Sequence, residues 1–204
     1  MRRATSSLLA LTLAMAAGPP AVHAQQTDPA AAQIEKFDAA VLDVMKQAKK
    51  LGTRGRYDAL QPVIERTFDL PAMTRFAVGS AWNTLSPEDK AAVVKAFTRM
   101  TVATYAHNFD SYGGEKFSVE KVDTRGLDKL VRTRLTGSGA PTQLAYRMRQ
   151  DASGAWKVID VYYNSTVSSL LGQRSEYAAT LSSGGVQALI RKLNSRADQL
   201  IQSR

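Results

Sequence analysis

Residues 156–193, WKVIDVYYNSTVSSLLGQRSEYAATLSSGGVQALIRKL, decide the fold that this sequence predicts. The segment 156–163 is apolar on both faces, which is typical of a strand that is covered on both sides. A Ser/Thr-rich turn follows it, and apolar residues then recur at helical spacing in two short segments, the second of which opens on Gly184 and Gly185. We therefore expect a last buried strand followed by C-terminal helices over residues 165–202.

Three segments upstream of this strand alternate apolar and polar residues. They are residues 116–124, 131–135 and 144–149, and glycine-bearing turns separate them from one another and from the last strand. A period of two predicts half-buried strands, and short turns between such strands predict antiparallel pairing. Residues 115–163 are therefore predicted to form a four-stranded antiparallel sheet.

Residues 33–110 show a helical period instead. The first helix is expected to end at Gly52, a second to cover 57–68 and a third to begin after Asp69, while Ser86 followed by Pro87 and two acids is typical of a helix start. Helices at both ends of a sheet predict an α+β fold. We expect one domain over 33–204, with the sheet packed against its N- and C-terminal helices.

The first 24 residues are typical of a secretory signal peptide. Two arginines precede an apolar run over 8–17, and small residues precede the expected cleavage point after Ala24. About ten apolar residues are too few to span a bilayer core of roughly 30 Å. We therefore expect export to the periplasm, cleavage near Ala24 and a flexible linker over 25–32.

The composition excludes most catalytic chemistry. The chain has no cysteine, and His107 is the only histidine outside the predicted signal peptide. Phosphate-loop, dinucleotide-binding, nucleophile-elbow and HExxH motifs are absent from the sequence. Its net charge of +9 comes from scattered basic residues, so we expect no nucleic-acid partner. The sequence predicts a protein that is not an enzyme and needs no cofactor or metal.

Asp160 leaves one catalytic alternative open, because it interrupts the apolar strand 156–163. A buried carboxyl has a raised pKa and can act as a general base, so Asp160 with a tyrosine of the same cavity would suit a small isomerase. The structural alternative is that Asp160 pairs with an arginine or accepts hydrogen bonds from backbone donors. A non-lipid periplasmic adaptor with a solid core is a third possibility.

The C-terminal segment contains an ordered series of short motifs, W-K-V-x-D-V at 156–161, R-S-x-Y at 174–177 and G-G at 184–185. This series resembles the MlaC family of periplasmic lipid-binding proteins. The series continues upstream in residues 68–73, 78–82 and 96–105, and it covers roughly 33–196. Variants at 103–106 and 162–163 resemble most the hopanoid-associated branch called HpnM. The C-terminal positions are Trp156, Lys157, Val158, Asp160, Val161, Ser168, Arg174, Ser175, Tyr177, Gly184 and Gly185.

The resemblance implies an NTF2-like, cone-related fold with an apolar cavity between helices and sheet. It implies a carrier that shuttles phospholipid or hopanoid between an inner-membrane ABC transporter complex and, as a second candidate partner, an outer-membrane lipid complex. We expect Arg174 near the cavity mouth, with a salt bridge to Glu176, Asp160 or a helix terminus as the alternative. The expected lining residues are Phe97, Tyr105, Phe117, Leu135, Tyr146, Val161, Tyr163, Leu171 and Tyr177.

Overall fold

The structure is a computed structural model that describes residues 28–137, 139–164 and 166–202. The predicted signal peptide and its cleavage site lie outside these residues. The first helix, α1 (Pro29–Lys46), begins inside the segment predicted as a linker, because the Asp28 carboxylate accepts a hydrogen bond from the Ala30 amide at 2.9 Å and Pro29 occupies the first turn.

The first two helices are divided differently from the sequence prediction. α1 ends at Lys46, and α2 (Ala48–Thr67) follows after Gln47. Gly52 was predicted to end the first helix, but it lies inside α2 as a kink with φ of 62°. The helical backbone is thus interrupted at Gly52, as predicted, but the additional break at Gln47 was not predicted, because the buried apolar series Val44, Met45 and Ala48 runs across it.

Two further helices follow before the sheet. α3 (Leu70–Val78) runs into a 3₁₀ turn over Gly79–Thr84, and α4 spans Pro87–Asn108. The predicted start of α4 is confirmed, since the Ser86 hydroxyl accepts a hydrogen bond from the Asp89 amide at 3.0 Å. The buried face of α4 lies on α2, α3 and the C-terminal helix.

The sheet has five antiparallel strands in sequential order. They are β1 (Lys116–Arg125), β2 (Asp128–Thr136), β3 (Thr142–Gln150), β4 (Trp156–Tyr163) and the two-residue β5 (Val167–Ser168). The predicted α+β class is confirmed. The sheet gains β5 because the chain turns back at Asn164, whose φ is 48°, and pairs briefly with β4.

The last helix, α5 (Ser169–Gln202), contains the two predicted C-terminal segments joined at a kink. Gly185 has φ of 66° and ψ of −170°, a conformation that is essentially restricted to glycine. Residues 169–184 lie near β4 and α3, and α5 also packs along α4. The main core therefore lies between the sheet and helices α1 to α4, with α5 closing one side.

Candidate functional site

Edge-to-face aromatic packing forms a wall behind the site, and of its four rings Phe68 and Tyr105 reach the site itself. Phe37 of α1, Phe68 after α2, Tyr105 of α4 and Tyr146 of β3 have ring centroids 5.3 to 6.0 Å apart. Such pairs add about 0.5–1.5 kcal/mol each beyond their apolar burial. Burial raises the pKa values of Tyr105 and Tyr146, so both hydroxyls stay neutral at physiological pH.

A narrow apolar chamber lies against this wall, between α4, β4 and the start of α5. Its volume is about 90 Å³. Ligand pockets generally measure about 300–1,000 Å³, so this chamber accepts a lipid tail only if its walls separate. Its lining residues are Phe68, Met73, Phe97, Met100, Thr101, Thr104, Tyr105, Val161, Tyr163, Ser169 and Gln173.

A wider groove between α4 and α5 borders the chamber. The groove has a volume of about 610 Å³, and it shares Met100, Thr104 and Gln173 with the chamber. These three residues therefore form the boundary between a narrow apolar space and an open, more polar one. The groove also contains His107 and Asn108 of α4 and residues from both halves of α5.

Two buried polar atoms at the groove have no hydrogen-bond partner among the described residues. They are the Tyr177 hydroxyl and the Gln173 side-chain carbonyl. Tyr177 is only 2% exposed, and burial raises the pKa of its hydroxyl. An unpartnered buried polar group costs about 1–3 kcal/mol of folding free energy. Two residues that line the groove, Tyr177 and Gln173, therefore carry a buried donor and a buried acceptor whose hydrogen-bonding capacity is unsatisfied.

Basic side chains line the open side of the groove. The Lys192 ammonium lies 2.7 Å from the Glu176 carboxylate, an exposed pair that contributes little to stability. Arg196 donates a weak hydrogen bond of 3.4 Å to the side-chain carbonyl of Gln199. Within the described ranges no carboxylate forms an ion pair with Arg196. Its guanidinium is therefore available to an anion.

The structure brings five of the ten residues that we expected to contact lipid to this site. Phe97, Tyr105, Val161 and Tyr163 border the chamber, and Tyr177 lines the groove. These residues come from α4, β4 and α5, so the tertiary packing joins three parts of the sequence. That they contact lipid remains a prediction.

The other expected lining residues lie away from the chamber. Tyr146 is 1% exposed and fills the core beside Phe37. Phe117 and Leu135 are partners in the register of the edge strand β1 with β2, and Phe117 packs on Phe109, which separates it from Tyr105. Leu171 is 58% exposed and does not line the chamber.

Arg174 does not lie at the groove or chamber. Its guanidinium carbon is 5.3 Å from the centre of the Phe76 ring, and the side chain passes over Gly79 in a separate shallow pocket. The alternative salt bridge to Glu176 does not form either, because Glu176 pairs with Lys192. The cation–π contact fixes α5 to α3, which explains why Arg174 points away from the expected mouth.

The Asp160 carboxylate accepts hydrogen bonds from residues at the start of α5. Asp160 is 6% exposed, and its carboxylate accepts from the Ser168 hydroxyl at 2.6 Å and from the Leu170 amide at 3.3 Å. The Val161 amide donates to it at 2.8 Å. These contacts tie β4 to the first turn of α5, so they favour the structural alternative over a general base.

Four residues that the structure brings into view were not predicted from the sequence: Asp38, Gln173, Lys192 and Arg196. Asp38 is 4% exposed in α1, and burial together with the charge of Glu35 raises its pKa to about 8. The spacing from Ile34 contained this signal, because residues four apart share one helix face. The other three residues look like ordinary surface positions, and only the packing of α4 on α5 places them together.

Two further properties of the described residues bear on the site. No group of three or more His, Cys, Asp or Glu side chains in residues 28–137, 139–164 and 166–202 could hold a metal ion. Across the same residues, no helix has the length and apolar character needed to cross a membrane.

Comparison with known proteins decides the family. The family model described as MlaC protein matches residues 35–195, which is most of the chain. The chain belongs to the MlaC family. The MlaC resemblance noted in the sequence is thereby confirmed, but nothing in these comparisons tests the hopanoid-associated branch.

Two known proteins are similar to this member of the MlaC family. The intermembrane phospholipid transport system binding protein MlaC of Haemophilus influenzae is 26% identical over 129 residues, which cover 61% of this chain and 60% of that protein. The chain thus matches less than two thirds of that relative's length. The phospholipid-binding protein from Ralstonia solanacearum, solved in complex with a phospholipid, is 23% identical with a TM-score of 0.76. That structure matches 86% of this chain and 100% of its own, which shows a shared fold.

Proposed function

We propose that this protein is a periplasmic lipid carrier, which takes up the tails of a phospholipid or a hopanoid between α4, β4 and the first half of α5. The observation that carries the proposal is the aromatic chamber with a wider polar groove beside it. An amphiphile has the same division, with apolar tails attached to a polar head. The Haemophilus influenzae protein is the binding protein of a phospholipid transport system, and the Ralstonia solanacearum protein was solved with a phospholipid, which supports this ligand class.

The energetics of lipid transfer explain why a carrier is needed. Two acyl tails contain about 30 methylenes, and exposing each to water costs about 0.8 kcal/mol. On the order of 20 kcal/mol therefore opposes free diffusion of the lipid through water. A protein without ATP-binding motifs can bury the tails but cannot drive their transfer, so we propose that a membrane-bound ABC transporter complex supplies direction, with an outer-membrane lipid complex as a second partner.

Native mass spectrometry of protein isolated from a periplasm tests the proposal. We expect the protein to carry an additional mass of one or more lipids. Protein that shows only its bare mass, and that never binds added phospholipid or hopanoid, would contradict lipid binding.

A variant that fills the chamber links the bound lipid to this site. Thr101→Phe places a ring in the chamber and should reduce the lipid-bound fraction at least severalfold, because Thr101 lines that space. Ala91→Phe is the matched control, since Ala91 is exposed on the same helix and outside the chamber. Thermal unfolding must show that both variants fold. Equal lipid binding by both variants would place the lipid elsewhere.

A further inference from the structure

The polar side of the groove between α4 and α5 contains donors for an anion. The Tyr177 hydroxyl is buried and has no partner among the described residues. A neutral phenol can donate one hydrogen bond, and Tyr177 lines the same groove as Arg196. Lys192 adds a second cation at the rim.

The charge balance of the groove favours an anion. Lys192 and Arg196 contribute two positive charges there, and Glu176 contributes one negative charge that is already paired with Lys192 at 2.7 Å. Arg196 therefore remains as the cation whose fork of donors is not taken by a carboxylate in the part of the chain that the structure describes. A guanidinium fork matches the oxygen spacing of a phosphate better than an ammonium does.

The position of the groove connects this anion site to the chamber. Met100, Thr104 and Gln173 line both spaces. If the tails of a lipid lie in the chamber, its polar headgroup passes these three residues and lies in the groove. A groove of about 610 Å³ has room for a headgroup.

We propose that this groove is a phosphate-binding site for the lipid headgroup, in which Arg196 and Tyr177 donate hydrogen bonds to phosphate oxygens. The proposal rests on the proposed carrier function, because that function places tails in the adjoining chamber. The same chemistry would accept free inorganic phosphate, so the experiment includes both sources. Lys192, which is paired with Glu176, contributes long-range attraction.

The experiment compares two ligands that share acyl chains, phosphatidylglycerol and diacylglycerol, which lacks the phosphate. We expect Arg196→Gln to weaken phosphatidylglycerol binding by about tenfold, the lower end for a charge-assisted hydrogen bond, and to weaken diacylglycerol binding by less than about twofold. Arg191→Gln is the matched control, since Arg191 is exposed on the same helix, carries the same charge and does not line the groove.

Tyr177→Phe tests the second proposed donor, the Tyr177 hydroxyl. Lipid affinity and unfolding temperature are measured together, because a purely structural hydroxyl would change them in the same direction. We expect phosphatidylglycerol affinity to fall by about threefold, while the lipid-free variant unfolds at the same or a higher temperature, because the deleted hydroxyl has no partner among the described residues. A lower unfolding temperature would mean that the hydroxyl is already hydrogen-bonded in the free protein, which overturns its assignment as a donor to the headgroup.

The remaining outcomes separate this proposal from the carrier function. If wild type binds both lipids and Arg196→Gln weakens them equally or not at all, the headgroup site is wrong and the carrier function stands. If wild type binds neither lipid, the carrier function fails, and titration with inorganic phosphate then decides. Phosphate binding that Arg196→Gln abolishes would retain the groove as a phosphate site, and absence of phosphate binding would overturn it.

Discussion

Replacement of Asp38 by asparagine tests the packing of α1 in the core. The Asp38 side chain lies on the same helix face as Ile34 and Val41, and its Oδ1 atom has no hydrogen-bond partner among the described residues. Burial raises its pKa from 3.8 to about 8, and the nearby charge of Glu35 adds to the rise. Each unit of such a shift corresponds to about 1.4 kcal/mol.

The sign of the resulting pH dependence follows from proton binding. Asp38 binds its proton more tightly in the folded than in the unfolded protein, so folding is favoured where both states are protonated, below about pH 3.8. The free energy of unfolding then falls as the pH rises from there to about 8. Between pH 5 and pH 7 this one group should lower it by about 2–3 kcal/mol.

Urea unfolding at pH 5, 6, 7 and 8 measures the effect. Asp38→Asn does not titrate, so its stability relative to wild type should rise by about 2–3 kcal/mol between pH 5 and pH 7. Asp43→Asn is the control on the same helix, where Asp43 is exposed and pairs with Lys46 at 3.3 Å. Its curve should stay parallel to that of wild type. A constant difference between Asp38→Asn and wild type from pH 5 to pH 8 would refute the burial argument.

Three further substitutions test the elements around the chamber. Asp160→Asn should lower the free energy of unfolding by about 1–3 kcal/mol in urea, because one of the oxygens that accept from the start of α5 is lost; loss of a catalytic turnover instead would favour the isomerase alternative. Gly185→Ala should cost about 1–3 kcal/mol by thermal unfolding, because alanine is strained at φ of 66° and ψ of −170°; an unchanged unfolding temperature would contradict the kink. Phe97→Ala should cost about 3–5 kcal/mol in urea, since Phe97 is 1% exposed, and a loss below 1 kcal/mol would mean that it is not packed.

Most of the secondary structure could be predicted because its signals depend only on residues that are close together in the sequence. Ser86 and Pro87 mark the start of α4, and alternation marks the strands of the sheet. The break at Gln47 could not be predicted in the same way, because apolar residues continue at helical spacing on both sides of it. Periodicity describes which face is buried, and it does not describe where a continuous face bends.

The site was only half predictable, because periodicity does not tell a cavity wall from a filled core. Phe97 and Tyr146 are equally buried and equally regular in sequence, yet one borders the chamber and the other packs against Phe37. Arg174 shares a helix face with Leu170 and Tyr177 by spacing, but α5 lies between α3 and α4. Its long side chain reaches the ring of Phe76 on α3, a contact that no local pattern contains.

The kink at Gly185 suggests which part of the proposed carrier moves when it loads. Beyond the kink, α5 is held to α4 by Arg99, which pairs with Asp198 and donates to the Asn194 carbonyl at 3.0 Å. Before the kink, only Leu170 and Tyr177 are buried, so separating residues 169–184 from the body exposes about 3–6 kcal/mol of apolar burial. Burial of two acyl tails provides on the order of 20 kcal/mol. Relative to a lipid in water, this gain exceeds that loss together with the Asp160 hydrogen bonds and the Arg174–Phe76 contact that hold the first half of α5, so displacement of residues 169–184 is an energetically feasible way to widen the narrow chamber.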